Sequence, residues 1–324
     1  MPRPEFERVF VTGGSGFVGA CLVRALLDRG HDVSVLLRAH SQSWRLDGVI
    51  DRLHVHRCDL LDASGVAAAI QAARPDVVYH LATHGAYESQ ADARTILTTN
   101  ILGSLNLLEA SAAAGVRIFA ATGSSSEYGF KSEPMRETDR LDPNSFYSIA
   151  KAAQSHLCSL WAKKQPMSVA VFRLFSVYGP WEEPTRLMPT LIRRARAGLP
   201  LEMVSPDTAR DFVYVDDVLE AMLNLRILSQ LHGEVLNLGT GVETKMRDVV
   251  ATVLALTGSR SEVRWGAMAA RHWDSSRWCA DRSKTKKILG WEPQHSLRAG
   301  LARMATWMEQ TGDDYGPTAA RRAA

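Results

Sequence analysis

The stretch "FYSIAK" at 146–151 sets Tyr147 and Lys151 four residues apart. On a helix that spacing is one turn, so the two side chains share a face. Tyrosine is a poor acid or base at neutral pH until something stabilises its phenolate, and a neighbouring ammonium does so. YxxxK also arises by chance, and a helical tyrosine beside a solvated lysine reads the same way. Upstream, "GSSSEYGF" at 123–130 follows the apolar run "RIFAAT" and offers hydroxyls at Ser124, Ser125 and Ser126. A hydroxyl at the end of a buried strand, such as Ser124, could hold a carbonyl oxygen against the Tyr147 phenol.

A second constellation lies near the start. "VTGGSGFVGA" carries Gly13, Gly16 and Gly19 between a strand pattern and a helix pattern. Gly13 permits the tight turn, Gly16 lets backbone approach a pyrophosphate, and Gly19 lets helix and strand pack closely. Ser15, Phe17 and Val18 complete the turn, whose N–H groups and positive helix end suit phosphate. The second strand ends in "LLRAHS", with no acid to take a ribose 2′-hydroxyl. Arg38, with Ser41 following, can instead pair with a 2′-phosphate, so NADP(H) is favoured over NAD(H). A surface arginine on a loop is the plainer alternative. Asp59 in "CDL", beside Leu60, could accept from the adenine amino group or cap the next helix.

These residues need a frame that brings strand ends together. Strand patterns recur at 8–13, 32–37, 53–60, 76–82, 117–122 and 168–175, with helices between them, the longest at 90–114 and 144–164. That alternation predicts an α/β fold, a Rossmann-like doubly wound parallel sheet with its crevice at the carboxyl ends of the strands. Beyond about 180 the order loosens into a smaller C-terminal α/β substrate lobe. The expected division is 1–180 for the dinucleotide domain, 181–312 for the lobe, partly interleaved with it, and 313–324 as a tail.

Composition narrows the function. The chain has 324 residues, is 46% hydrophobic and 23% charged, and carries a formal charge of +3. This charge is too small and too dispersed for a nucleic-acid partner. No run of about 18 apolar residues marks a membrane helix. The N-terminus lacks the apolar stretch of a secretion signal, and the four cysteines are widely spaced with no CxxC. A cytoplasmic protein with no metal site is expected.

At "TGGSGFVG", "CDL", "HLA", "TN" at 99–100, "SSSEYG", "YSIAK", "FSVYGP", "RDFVYVDD" and "NLGTG" the sequence resembles the extended short-chain dehydrogenase/reductase family, in particular its nucleotide-sugar epimerases, dehydratases and reductases. The resemblance covers about residues 8–310. It implies a catalytic triad of Ser124, Tyr147 and Lys151. It also implies that Leu81, Ala82 and Thr83 line the cofactor, that Asn100 braces the site, and that the Val177 backbone reaches the nicotinamide amide. Ser125 and Ser126 would meet the sugar, Arg210 would bind the diphosphate, and Arg271 would assist or simply form a surface salt bridge; His84, on the loop after the fourth strand, could contact the sugar or be a plain loop residue.

Two departures stand out. Ser176 replaces the family's usual Asn, which weakens the expected diphosphate contact. Ser125-Ser126 replace the acid-containing pair of the dehydratases, which makes dehydration the least expected reaction. "SSSEYG" looks like the form found in reductases of 4-keto-6-deoxy sugar nucleotides, which use NADPH. A 4-epimerase with tightly bound NAD would use the same triad, and a non-catalytic cofactor sensor is the third alternative. In this family the helices near 90–114 and 144–164 pair into a four-helix bundle, which implies a homodimer; internal packing would use their alanines equally well. Tyr87 and Glu88 on the loop with His84, and Trp181 as a stacking plate, are further candidates for ligand contact or plain loop residues. Trp265, Trp273, Trp278 and Trp291 read as core or interface.

Overall fold

A computed structural model describes residues 7–87, 89–268, 278–313 and 315–316. In chain order the first elements are β1 (Arg8–Thr12), α1 (Phe17–Asp28), β2 (Asp32–Leu37), β3 (His54–Arg57), α2 (Ala63–Ala73), β4 (Val77–His80), α3 (Ala93–Leu97), α4 (Gly103–Ala113), β5 (Ile118–Ser124), α5 (Phe146–Lys164) and β6 (Ser168–Leu174). There follow β7 (Ser176–Tyr178), α6 (Leu187–Arg196), β8 (Leu201–Met203), β9 (Ala209–Arg210), β10 (Phe212–Tyr214), α7 (Val215–Met222), α8 (Leu225–Leu228), β11 (His232–Leu238), β12 (Thr244–Lys245), α9 (Met246–Thr257), β13 (Val263–Trp265), α10 (Ser283–Leu289) and α11 (Leu297–Thr311).

Seven strands form one sheet in the order β11-β6-β5-β4-β1-β2-β3. The pairings from β6 to β3 are parallel, with Val9 opposite Val33 and Val77, and Val77 opposite Ile118. The strands read as near-continuous apolar runs because helices cover both faces, as the burial of Val9, Phe10, Val11, Val77, Val78, Ile118 and Phe119 requires. The strand order reverses between β1 and β4, the place where α/β sheets open a crevice at the carboxyl ends of their strands. The predicted doubly wound sheet is the one observed.

Local signals explain several boundaries. Asp62 caps α2 by accepting from Gly65 N at 3.0 Å, and Arg74 in a left-handed conformation ends that helix before Pro75. The stretch expected as one helix over 90–114 is helical without a gap from 93 to 113, with one turn of wider winding inside it. Between α3 and α4 lies a π turn, Thr98–Leu102, with Asn100 buried in it.

By compactness the chain divides into two units. One comprises Met1–Gly129, Arg140–Leu174 and Leu219–Leu236, and the other Phe130–Asp139, Phe175–Val218 and Asn237–Ala324. The second is built on three short pairs, β7–β10, β9–β12 and β8–β13. Two buried aspartates tie it together. Asp211 accepts from Thr240 N and Thr240 Oγ1 (both 2.6 Å), Gly241 N (2.9 Å) and Ala280 N (3.0 Å). Asp217 accepts from Gln294 N at 3.0 Å and His295 N at 3.1 Å, with His295 Nδ1 at 2.8 Å. Among the described residues no helix is long and apolar enough to cross a membrane.

Candidate active site

The glycine turn joins β1 to α1. Gly13 has φ +73°, and a Cβ there would lie 2.5 Å from Ala82 N and Leu81 C, so the turn sits directly against the end of β4. A Cβ on Gly19 would collide with the Gly13 carbonyl. Gly16 caps α1 with no side chain, and the first turn of the helix has no acid. The α1 N–H groups and helix dipole are therefore left for an anionic ligand, with no carboxylate nearby in sequence to compete. Ser15, Phe17 and Val18 complete this cradle, and the Arg45 guanidinium lies 3.5 Å from Ser15 O. The cradle fits a dinucleotide pyrophosphate.

At the tip of β2, Arg38 is exposed and its backbone forms a turn with Ser41: Arg38 N donates to Ser41 Oγ and Ser41 N to Arg38 O, both at 3.0 Å. Arg57, at the end of β3, points its guanidinium to the Arg38 carbonyl at 3.5 Å. Asp59 binds Leu61 N at 2.9 Å and leaves helix capping to Asp62. Leu60 is buried, and its carbonyl accepts from Asn106 Nδ2 at 2.8 Å.

The end of β4 is held by a one-way chain of hydrogen bonds. Ala82 N donates to Thr12 Oγ1 at 3.3 Å, and Thr12 Oγ1 lies 2.7 Å from His80 Nδ1. His80 Nε2 lies 2.8 Å from Ser104 Oγ, which donates to Asn100 O at 2.6 Å. Ser104 spends its one proton on Asn100, so His80 carries its proton on Nε2 and accepts from Thr12 on Nδ1. Burial, with the Lys151 charge adding to it, pulls His80 down to about 3. Asn100 then grips the following loop: its Oδ1 accepts from His84 N at 2.8 Å and Thr83 Oγ1 at 3.3 Å, and its Nδ2 donates to His84 O at 2.7 Å. The π turn places Asn100 here, a common location for such bulges. His84 is held below its ordinary value by burial and by the Arg38 charge, against the pull of Asp92.

Ser124 ends β5 and caps the 3-10 turn Ser125–Tyr128. Its Oγ accepts from Ser126 N at 3.2 Å and lies 2.7 Å from Ser126 Oγ. Ser125 is buried. Tyr147 and Lys151 lie one turn apart at the start of α5, where Ser145 caps by accepting from Ser148 N at 3.1 Å. Tyr147 is half-buried, whereas Lys151 is fully buried. Lys151 Nζ donates to Thr122 O and, at 2.6 Å, to Gln154 Oε1. Burial draws its ammonium down to about 8, with Glu127 and Cys158 opposing. The lysine is thus anchored to the strand that ends in Ser124.

The remaining candidates belong to the second unit. Ser176 N donates to Asp211 O at 2.9 Å, and Val177 N donates to Phe175 O at 2.9 Å. Arg210 donates to Ala209 O at 2.8 Å, and its guanidinium carbon lies 5.6 Å from the Trp278 ring centre. Trp181 packs against Trp307 with ring centres 5.1 Å apart. Trp278 and Trp291 are buried, whereas Trp265 is 38% exposed. Arg271, Glu88 and Trp273 lie outside the described residues.

Sequence reasoning missed the group directly behind Ser124. Glu127 is fully buried and paired with Arg173 of β6, Nε to Oε2 at 2.8 Å. The signal was present: an arginine inside the apolar strand "SVAVFRLF" must find a buried partner.

Residues 9–239 match the model of the NAD dependent epimerase/dehydratase family. The dTDP-glucose 4,6-dehydratase of Salmonella typhimurium is 26% identical, covering 93% of this chain and 92% of its own. The UDP-glucose 4-epimerase of Thermotoga maritima, solved with UDP-glucose, superposes with a TM-score of 0.85 at 29% identity over 94% of this chain and 99% of its own. The UDP-glucose 4-epimerase of Thermus thermophilus, solved with NAD, gives 0.83 at 30% identity over 93% and 99%. This chain belongs to the NAD dependent epimerase/dehydratase family and is an enzyme of the extended short-chain dehydrogenase/reductase type.

Proposed function

We propose that the chain reduces the C4 carbonyl of a nucleotide-linked 4-keto-6-deoxyhexose, using NADPH. The observation that carries this reading is the cationic strand tip, where the Arg57 guanidinium reaches the Arg38 backbone carbonyl and β2 ends without a carboxylate. A 2′-phosphate suits that tip, and NADPH is the cofactor of net reductions. Gly13, Ser15, Gly16, Phe17, Val18 and Gly19 would hold the pyrophosphate. Ser41 would join Arg38 at the 2′-phosphate, and Asp59 and Leu60 would flank the adenine. Leu81, Ala82, Thr83 and the Val177 backbone would line the rest of the cofactor.

When bound, the nicotinamide supplies hydride exchange at the sugar carbon. The chain's own residues handle the oxygen and its proton. Ser124 Oγ–H donates to the C4 oxygen and orients it toward Tyr147. Tyr147 gives its phenol proton to that oxygen as it becomes a hydroxyl. Lys151, one turn away, lowers the cost of the phenolate that remains. His84, Ser125, Ser126 and Ser176 would meet the sugar, Arg210 the diphosphate, and Arg271 either the diphosphate or a surface carboxylate. Dehydration would need a free acid beside Ser124, and Glu127 is committed to its ion pair with Arg173.

A second reading, 4-epimerisation with retained NAD, is favoured by the likeness to UDP-glucose 4-epimerases. Stoichiometry separates the two. With NADPH and a nucleotide-linked 4-keto-6-deoxyhexose, one cofactor oxidised per product formed is expected. Interconversion of C4 epimers without net cofactor consumption would replace the first reading by the second.

The partner proposed is a second copy of this chain, through a four-helix bundle, in the cytoplasm. Phe146, Ile149 and Leu160 expose 53%, 42% and 47% of their surface along α5, and Leu102, just before α4, exposes 49%. Such an apolar stripe suits burial between copies. One chain per particle by light scattering would count against it.

A further inference from the structure

We infer that Glu127 is a positioning residue for the reaction, aiming the Ser124 hydroxyl and supporting the Lys151 charge from behind. This rests on the triad reading above. The carboxylate is completely enclosed, and each of its oxygens is engaged. Oε1 accepts from Ser124 N at 2.7 Å. Oε2 accepts from Arg173 Nε at 2.8 Å and from Ser155 Oγ at 2.9 Å. Ser155 lies one turn beyond Lys151 on α5, so one side chain ties the end of β5 to the catalytic helix and to β6.

The surroundings are shaped for this acid. A Cβ on Gly123 would fall 2.7 Å from Glu127 Oε1, so the strand passes the carboxylate without a side chain. Arg173 stacks on the Tyr128 ring, its guanidinium carbon 4.6 Å from the centre. Its plane is thereby set for the Glu127 bond. The capping pair of Ser124 and Glu127 fixes the turn at its first residue. Ser124 Oγ can meet a substrate oxygen only if that turn holds.

The second effect is electrostatic. Lys151 has no carboxylate among its hydrogen-bond partners, Thr122 O and Gln154 Oε1. The titratable and charged groups coupled to it are Glu127 on the 3-10 turn, itself paired with Arg173 of β6, Cys158 on its own helix, and His80 on β4. Of these, Glu127 contributes most to keeping the buried ammonium protonated against desolvation. The ammonium is present below about 8 and lost above it. Removing the carboxylate moves that loss to lower pH.

The test uses the full chain and three variants, with kcat, KM, cofactor affinity and thermal midpoint measured together. Glu127→Leu combined with Arg173→Met removes both charges, so no unpaired ion is left in the core. Expected is a kcat about 10- to 100-fold lower, of the size that a misplaced catalytic group produces. KM and cofactor affinity stay within about twofold, and the alkaline limb moves down, by less than about one pH unit because the Arg173 cation leaves together with the carboxylate. Glu127→Asp keeps the charge but shortens the reach to Ser124 N; it should lower kcat several-fold and leave the limb in place. Tyr147→Phe is the reference. If it is inactive while both Glu127 variants keep the wild-type kcat and pH profile, Glu127 is only a structural acid and the inference falls alone. If Tyr147→Phe turns over normally, the triad reading falls and takes this inference with it.

Discussion

The two units use their motif residues in opposite ways. In the first, the glycine turn leaves α1 without a side-chain cap, and Ser124 shares its hydroxyl only with its own turn. In the second, two of the three acids of "RDFVYVDD" are consumed internally. Asp211 gathers four donors from "LGTG" and Ala280, while Asp217 gathers the backbone and ring of His295. Two motifs that carry the family resemblance in the sequence are two ends of one structural knot. A short polar motif therefore marks function where its hydrogen-bonding groups stay available, and architecture where they are spent.

That contrast can be broken by substitution. Tyr147→Phe should cause the largest functional loss, about 10²- to 10⁴-fold in kcat, with the thermal midpoint unchanged. A midpoint shift of several degrees would assign Tyr147 to the architecture. Asp211→Ala should do the reverse. Burial raises the Asp211 carboxyl above its ordinary value, and the four donors pull it part of the way back by favouring the carboxylate. Leaving them unanswered should cost about 3 kcal/mol or more, seen as a lower denaturation midpoint. Wild-type stability in that variant would remove Asp211 from the architecture. The smallest effect belongs to Arg38→Ala. The ratio of kcat/KM with NADPH to that with NADH should fall about 10- to 100-fold, as expected for one charge-assisted contact. An unchanged ratio would make Arg38 a surface arginine and move the cofactor preference to NAD(H).

Sequence alone carried much of the first unit. The strand–glycine–helix context, the β-α alternation and the Tyr147–Lys151 spacing are local, and each survives in the fold. Three features could not be assigned from sequence, although Arg173 inside an apolar strand did signal that a buried partner must exist. The π turn at Thr98–Leu102 shifts backbone hydrogen bonding without disturbing the apolar pattern that marks a helix. Glu127 and Arg173 are 46 residues apart and meet only because β5 and β6 are neighbours. The Asp211 knot joins segments 29 to 69 residues away, beyond any periodicity. Helix capping also shifted: Asp59 was the alternative cap for α2, and Asp62 is the one used.

The relay through His80 has a consequence for how the enzyme responds to its medium. A doubly protonated ring would turn Nδ1 into a donor and set it against the Thr12 hydroxyl proton. An imidazole that charges only near 3 ignores the range in which histidines usually act as acidity sensors. The brace from the first strand to the grip of Asn100 therefore keeps one electrical state from mildly acidic to mildly alkaline surroundings. Any pH response of this enzyme has to originate in other groups.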